Sequence, residues 1–171
     1  MATNMMRSLT YTAPQSAEAE CPPKDIYTLE LVEFGEFQEK PAFNDPSITN
    51  IQSRVAFKIV DFDYDPDMDE RDWNGLTVAD FYVFWKRDAD GRERETWKSD
   101  RAKSNELLRA LLGRDLEEGE EVDLEGMIGR RIKAQVEPKE SGWPKITSHV
   151  KARQRKSAKP AGRNPFDEDD E

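Results

Sequence analysis

The chain has 171 residues, a length that suggests one domain with additional segments at its ends. Hydrophobic and charged residues each make up 36% of the sequence, and the formal net charge is -10. Because neutralising phosphates requires Lys and Arg, this acidic balance taken alone argues against nucleic-acid binding. The charges are distributed unevenly, however, so each segment has to be considered separately.

Cysteine usage and hydropathy bear on the compartment in which the protein works. The single cysteine, Cys21, permits no internal disulfide, which is compatible with a reducing cytoplasm. The sequence has no apolar run of the roughly 18 residues that a transmembrane helix needs. Its first residues lack the apolar segment of a signal peptide. We therefore expect a cytoplasmic protein without a membrane partner.

The first part of the chain predicts an arm, two strands and a loop between them. Residues 1–24 are polar and contain prolines, so we expect a flexible N-terminal arm. Strands are predicted at Ile26–Phe34 and Ile51–Phe62, where polar and apolar residues alternate. Gly, Pro, Asn and Asp residues between them mark 35–50 as a loop.

Acidic residues crowd the next segment, from Asp61 to Asp72. Alternating Asp suggests a calcium-binding loop, but Pro66 occupies the sixth position, where the sharp turn of such a loop needs Gly. The acids also suggest a metal-dependent nuclease, yet they lie in one run rather than on separate rigid elements. We therefore predict a solvated acidic loop, no metal site and no cofactor.

The densest apolar and aromatic run in the sequence is Val78–Arg87, which predicts a strand. We assign its odd-numbered side chains to the core and its even-numbered side chains to the outside. The core face comprises Phe81, Val83 and Trp85 with Val55, Phe57 and Ile59 of the second strand. The outer face comprises Tyr82, Phe84 and Lys86 with Arg54, Lys58 and Phe62 of the second strand. A shift of one residue in register exchanges the two faces, and burial of Tyr82 and Phe84 is the open alternative.

The second half predicts a hairpin, a helix and two more strands. Asp88–Gly91 is typical of a tight turn and leads into a charged return strand at Arg92–Lys98. Four leucines at helical spacing predict a helix that Ser99 or Asp100 caps and that Gly113 ends. The remaining strands are predicted at Arg130–Glu137 and Trp143–Val150.

Five principal strands with one helix between the third and the fourth predict a mainly β fold. This is the order of an OB-fold, a small five-stranded Greek-key barrel. We place the OB-fold-like domain at residues 25–150, between disordered termini. Domains of this type bind single strands on the outer face of their second and third strands.

The composition changes after this domain. Residues 151–163 contain six basic residues and no acid, so this linker is predicted to contact phosphates in a salt-dependent way. Residues 164–171 form an acidic tail, which either binds partner proteins or only keeps the chain soluble. The predicted partner-binding residues are Pro165, Phe166, Asp167, Glu168, Asp169, Asp170 and Glu171.

The stretch Leu124–Arg131 is similar to the start of the fourth strand in many OB-fold domains of single-stranded DNA-binding proteins. A compact domain followed by a basic linker and an acidic terminus bearing Pro-Phe also resembles this family, especially its divergent phage-encoded members. In the bacterial proteins Pro-Phe ends the tail, whereas here Pro165-Phe166 precedes the acids. The resemblance implies a single-stranded DNA-binding protein of replication or recombination, able to oligomerise, which works in the host cytoplasm if a phage encodes it.

The family binds single strands by stacking bases on aromatic rings and by contacting phosphates, largely without sequence preference. Stacking of this kind does not distinguish DNA from RNA. Tryptophans in two Gly-containing turns are candidate platforms at the rim of the binding face. The predicted nucleic-acid-binding residues are Arg54, Lys58, Phe62, Trp73, Tyr82, Phe84, Lys86, Arg131, Lys133 and Trp143.

No residue pattern indicates catalysis. His149 is the only histidine, and the sequence has no Gly-rich phosphate loop, Cys/His cluster or nucleophile elbow. We therefore predict a non-enzymatic protein. The alternative to DNA binding is an OB-like structural or adaptor protein, such as a virion or complex component, that binds a protein partner.

Overall fold

The structure, a computed structural model, describes residues 20–154 as a curled antiparallel sheet that forms a half-barrel, with one α-helix against it. Helix α1 spans Lys103–Leu112. The strands are β1 (Asp25–Phe34), β2 (Gln38–Pro41), β3 (Thr49–Val60), β4 (Thr77–Arg87), β5 (Glu93–Glu95), β6 (Arg131–Pro138) and β7 (Pro144–Lys151).

The sheet has seven strands in the order β5-β4-β3-β1-β6-β7, and β2 pairs with β3 outside this path. The mainly β prediction and the single helix are confirmed, but the predicted count of five strands is too low. The return strand of the hairpin is only three residues long, because a 3-10 turn begins at Thr96. The missed strand β2 is Gln-Glu-Lys-Pro, which lacks the β-branched and aromatic residues that indicate a strand.

Bulges and one close backbone approach give the sheet its curvature. The β1–β3 register shifts between Leu31 and Glu33, so Val32 is an extra residue on β1. Such a bulge bends its strand and increases the local twist. Just beyond it, the Gly35 N–H donates a hydrogen bond of 2.8 Å to the Arg54 carbonyl. A Cβ at Gly35 would lie 2.9 Å from that oxygen, so only glycine fits here.

The core lies between the concave side of the sheet and α1. Val55, Phe57 and Ile59 are fully buried, as predicted, and the leucines of α1 pack against them. Gly113 ends the helix in the left-handed conformation with φ 75°, also as predicted. The N-cap prediction is wrong, because α1 begins after Ala102, which makes no side-chain cap.

The predicted faces of β4 are exchanged in the structure. Asp80 pairs with Val55 and Val78 pairs with Phe57, and directly opposite residues point to the same side of a sheet. The even-numbered residues Tyr82 and Phe84 are therefore buried in the core, together with Val78 and Asp80. Assigning Tyr82 and Phe84 to the outer face is wrong, and so is assigning Phe81 to the core.

The buried carboxylate of Asp80 explains the exchange. Its oxygens accept hydrogen bonds from Lys103 Nζ at 2.7 Å, Lys139 Nζ at 3.0 Å and the Ile146 N–H at 2.9 Å. Burial raises the pKa of this carboxyl, but the charge of Lys103 and these hydrogen bonds hold it below its usual value. Asp80 thus joins β4 to α1 and to β7, a strand far from β4 in the sheet order.

A second polar chain runs beside it. Tyr82 Oη lies 2.6 Å from His149 Nε2, and His149 Nδ1 lies 2.6 Å from Glu106 Oε1. A neutral imidazole with its proton on Nδ1 donates to Glu106 and accepts from the tyrosine hydroxyl, so both contacts are satisfied. Lys103 Nζ also lies 4.4 Å from the centre of the Tyr82 ring. Tyr82 therefore fixes β4 to β7 from inside the half-barrel.

Substitutions on the two faces of β4 separate burial from exposure. We expect Tyr82→Ala to lower the free energy of unfolding by about 3–5 kcal/mol, because it opens a cavity and removes the hydroxyl partner of His149. Phe81→Ala, the matched control, is expected to change it by less than about 0.5 kcal/mol. Urea unfolding followed by circular dichroism measures both. Equal losses would contradict the observed orientation of β4.

The buried His149 predicts that stability depends on pH. Burial lowers the pKa of His149 below its usual value near 6.5, so the unfolded chain takes up this proton at a higher pH than the folded protein does. We expect the free energy of unfolding to fall as the pH drops below about 6.5, by up to about 1.4 kcal/mol per pH unit. Urea unfolding between about pH 8 and pH 5 measures this slope.

His149→Gln is the control for this pH dependence. The variant is expected to be less stable at high pH but to lose the slope in this window. Partial burial raises the pKa of the Glu106 carboxyl, but the hydrogen bonds from His149 hold it below its usual value of 4.5. The Glu106 carboxyl therefore takes up its proton below this pH window and does not account for the slope within it. An unchanged slope in the variant would assign the dependence to other groups.

Candidate nucleic-acid interface

The outer face of β3 and β4 carries an exposed ring beside an exposed guanidinium. Arg54 on β3 is directly opposite Phe81 on β4, and the ring of Phe81 is 43% exposed. Lys58 lies four residues along β3 and points to the same side. This pairing places an aromatic ring and two cations on one surface.

The same face continues across β1 onto β6. Lys58 pairs with Glu30, and Thr28, two residues before Glu30, pairs with Lys133. Lys133 is exposed and lies on the side of the sheet that carries Arg54. We call the exposed surface of Arg54, Lys58, Phe81 and Lys133 the outer face.

Two alanines lie between the ring of Phe81 and Lys58. Ala56 and Ala79 are directly opposite each other, between the Arg54–Phe81 pair and the Lys58–Thr77 pair. Ala56 is only 3% exposed and Ala79 is half-buried, so neighbouring side chains cover this part of the strands. The exposed groups of the outer face are therefore the ring and the cations on either side of this pair.

The charges of the outer face differ in how far they are already neutralised. Lys58 Nζ lies 4.0 Å from a Glu30 oxygen, and both groups contact water. Within residues 20–154, neither the Arg54 guanidinium nor the Lys133 ammonium has an ion-pair partner. The charges of these two cations are therefore not neutralised by the described residues, whereas the charge of Lys58 is partly neutralised by Glu30.

Arg131, predicted to extend the face, is buried and already paired. It contacts Glu30 at 3.2 Å and Asp61 at 2.7 Å, and Gln154 holds its backbone through two hydrogen bonds. A guanidinium held in this way by two carboxylates is a structural link between β1, β6 and the acidic segment. Arg131 therefore lies on the same side of the sheet as Lys58, since both pair with Glu30, but its charge is buried and already neutralised.

The predicted rim tryptophans differ in exposure. Trp143 is 41% exposed, in a turn that Lys139 ties to β4 through Asp80. Trp73 is buried, and the Arg71 guanidinium covers its ring at 4.6 Å. Trp143 is therefore accessible for stacking beside β4, and Trp73 is not.

Two further predicted residues lie away from the outer face. Phe62 is half-buried and stacks on Tyr27 with ring centres 5.9 Å apart. Lys86 is half-buried near the end of β4, beyond the shift in register at Ile51 and Gln52. The structure thus brings Arg54, Lys58 and Lys133 together, and the tail residues 165–171 lie outside the described part of the chain.

Sequence reasoning missed Phe81, the only large ring on the outer face within residues 20–154. Hydrophobicity does not reveal it, because the odd-numbered face of β4 holds four apolar side chains and the even-numbered face only three. Phe81 is identified as an outer residue only by its pairing with the exposed Arg54 on β3. The sequence does not give this register, because the register follows from the burial of Asp80.

The acidic segment between β3 and β4 forms irregular turns. Asp65 accepts the N–H of Asp67, and Asp72 accepts the N–H of Asn74, so these carboxylates stabilise their own loop. No group of three or more His, Cys, Asp or Glu side chains in residues 20–154 is placed to hold a metal ion. In the same residues, no helix is long and apolar enough to span a membrane.

Comparison with protein families and with curated protein sequences identifies no relative of this chain. No protein-family model matches the chain, and no curated protein sequence is significantly similar to it.

Proposed function

We propose that this protein binds single-stranded DNA on the outer face, largely without sequence preference, in replication or recombination. The observation that carries the proposal is the exposed ring of Phe81 directly opposite Arg54, whose guanidinium has no ion-pair partner within residues 20–154. A ring stacks on any base, and a neighbouring guanidinium neutralises the phosphate that follows the base. The proposal is of a binding protein rather than an enzyme.

The topology supports the OB-fold as the finer description of the half-barrel. Strand β1 pairs with both β3 and β6, strand β6 pairs with β7, and α1 lies between β4 and β6 in the sequence. With β2 and β5 as additions, the second and third strands of this OB-fold are β3 and β4. The outer face thus occupies the position at which OB-folds bind oligonucleotides.

Local charge reconciles the acidic composition with this function. The carboxylates of the acidic segment partly bind their own backbone, while Arg54 and Lys133 form no ion pair with the described part of the chain. Phosphate contacts depend on cations within about one Debye length, roughly 10 Å at moderate salt, rather than on net charge. We propose that the basic residues of 151–163 add phosphate contacts and that the acidic tail binds partner proteins of the replication or recombination machinery.

Titration of the full chain into a fluorescein-labelled oligo(dT), followed by anisotropy, tests the proposal. We expect saturable binding that weakens steeply between about 50 mM and 200 mM salt, because cations of the DNA are released. A duplex of the same length is expected to bind more weakly, since its bases are not free to stack. No binding at low salt would contradict the proposal and favour the structural or adaptor alternative.

Phe81→Ala is expected to weaken binding to oligo(dT) about 5- to 150-fold, since base stacking on an aromatic ring contributes about 1–3 kcal/mol. Tyr64→Ala is the matched control, because Tyr64 is an exposed ring on the acidic segment rather than on the sheet. Anisotropy at constant salt measures both affinities. A larger loss for Tyr64→Ala would move the stacking surface away from β4.

The double substitution Arg54→Gln with Lys133→Gln is expected to weaken binding and to reduce its salt dependence. Each lost phosphate contact lowers the slope of log K against log salt by about 0.7 for a single strand. Lys24→Gln with Arg101→Gln removes the same charge from exposed positions elsewhere. Anisotropy over a salt series compares the slopes. Equal slopes in the two variants would contradict a phosphate path across β3 and β6.

A further inference from the structure

A cavity of about 580 Å³ opens at the end of the half-barrel, on the other side of β4 from Phe81. One wall is aromatic: Phe37 packs edge-on against Phe84 and Trp85, with ring centres 5.4 Å and 5.0 Å away. Trp97, from the 3-10 turn after β5, adds a fourth ring. We call this space the aromatic cavity.

The lining of the aromatic cavity also includes residues 116–122 and Leu124 of an acidic loop, residues 114–124. Arg114 neutralises one of its acids, since the guanidinium lies 2.6 Å from Glu120 and its hydrogen bonds lower the pKa of that carboxyl to about 2. Glu117, Glu118 and Glu121 also line the cavity, and their carboxylates have no ion-pair partner within residues 20–154. The cavity therefore offers both aromatic rings and unneutralised carboxylates.

Lys98 shows that an ammonium group binds where an aromatic ring and a carboxylate lie close together. Lys98 Nζ lies 5.5 Å from the centre of the Trp97 ring and 2.9 Å from a Glu95 oxygen, at the edge of the cavity. A cation is thus held between a ring face and a carboxylate, where both interactions are attractive. Further Lys or Arg side chains have the same partners available deeper in the cavity.

Lys151, three residues before the end of the described chain, lies close to the start of the acidic loop. A Cβ built on Gly113, the residue before the loop, would lie 4.0 Å from Cδ of Lys151. Three residues later, Gln154 is fixed to the backbone of Arg131. The segment that follows, residues 155–163, carries four basic residues and no acid. Nine residues span up to about 30 Å, which suffices to cross the neighbouring loop.

We propose that residues 155–163 of this chain dock in the aromatic cavity, with their Lys and Arg side chains between the rings and the carboxylates of the acidic loop. The aliphatic stems of these side chains pack on Trp85 and Trp97, and their charged ends reach Glu117, Glu118 and Glu121. The short tether gives the segment an effective concentration of the order of millimolar at the cavity. The docking does not require the proposed DNA binding, although phosphates and the cavity would compete for the same cations.

Paramagnetic relaxation in the full chain tests the docking. The Cys21→Ser, Ser157→Cys variant carries one nitroxide label within the basic segment, and the indole N–H signals of four tryptophans report its position. We expect strong broadening of Trp85 and Trp97 and little broadening of Trp73 and Trp143, which lie outside the cavity. Equal broadening of all four signals, or none, would overturn the proposal.

Charge variants show whether the acidic loop causes the broadening. Glu117→Gln, Glu118→Gln and Glu121→Gln together are expected to abolish it, as is about 1 M salt, because screening is then nearly complete. The matched control removes three exposed acids of the acidic segment between β3 and β4: Asp63→Asn, Asp67→Asn and Glu70→Gln. Broadening that survives the first variant, or disappears equally in the control, would overturn a specific contact with the cavity.

Mixing distinguishes docking within one chain from docking between chains. Chains that carry the nitroxide but no isotope are mixed with isotope-enriched chains that carry no nitroxide. Any broadening of the tryptophan signals then arises between two molecules. We expect none at low protein concentration. Broadening in the mixed sample of the same size as in the single-chain sample would assign the contact to a second copy and overturn the intramolecular proposal.

Discussion

The arrangement of the half-barrel depends on one buried carboxylate. Asp80 is on β4, near one end of the sheet order, and its hydrogen-bond donors come from α1, from the β6–β7 turn and from β7 at the other end. An unpaired carboxylate in this position would be costly, so the two lysines and the Ile146 N–H are conditions of the fold rather than additions to it. These hydrogen bonds hold β7 against β4 across the half-barrel that the curvature of the sheet forms.

The same carboxylate decides which side of β4 meets solvent. Because Asp80 points inward, Tyr82 follows it into the core and completes the hydrogen-bonded chain to His149 and Glu106. Phe81 is then left on the outer face beside Arg54. A buried polar cluster and an exposed stacking ring are thus two consequences of one alternation along a strand. The proposed binding surface is therefore coupled to core stability through adjacent residues of one backbone.

The sequence predicts what depends on local chemistry and misses what depends on distant partners. Alternation located β1, β3 and β6, a dense apolar and aromatic run located β4, and Gly113 marked the end of α1, because each signal lies within a few residues. The orientation of β4 was not predictable in this way, since the donors to Asp80 lie 23, 59 and 66 residues further along the chain. Arg54, Lys58 and Lys133 were predicted because charged residues on a half-buried strand face water; Phe81 and the aromatic cavity were not, because each is assembled by long-range pairing.

Strand β4 separates two surfaces that combine aromatic rings with opposite charges and therefore suit opposite kinds of group. On the outer side, Phe81 and Arg54 offer a ring and a cation, which suit a base and its phosphate. On the cavity side, Trp85 and the acidic loop offer rings and carboxylates, which suit Lys and Arg. A basic segment tethered at Gln154 can satisfy either the carboxylates of the cavity or the phosphates of a bound strand, but not both with the same side chains. On the two proposals together, leaving the cavity would cost free energy that reduces the contribution of the basic segment to the affinity for DNA, and the acidic loop would set the size of this reduction.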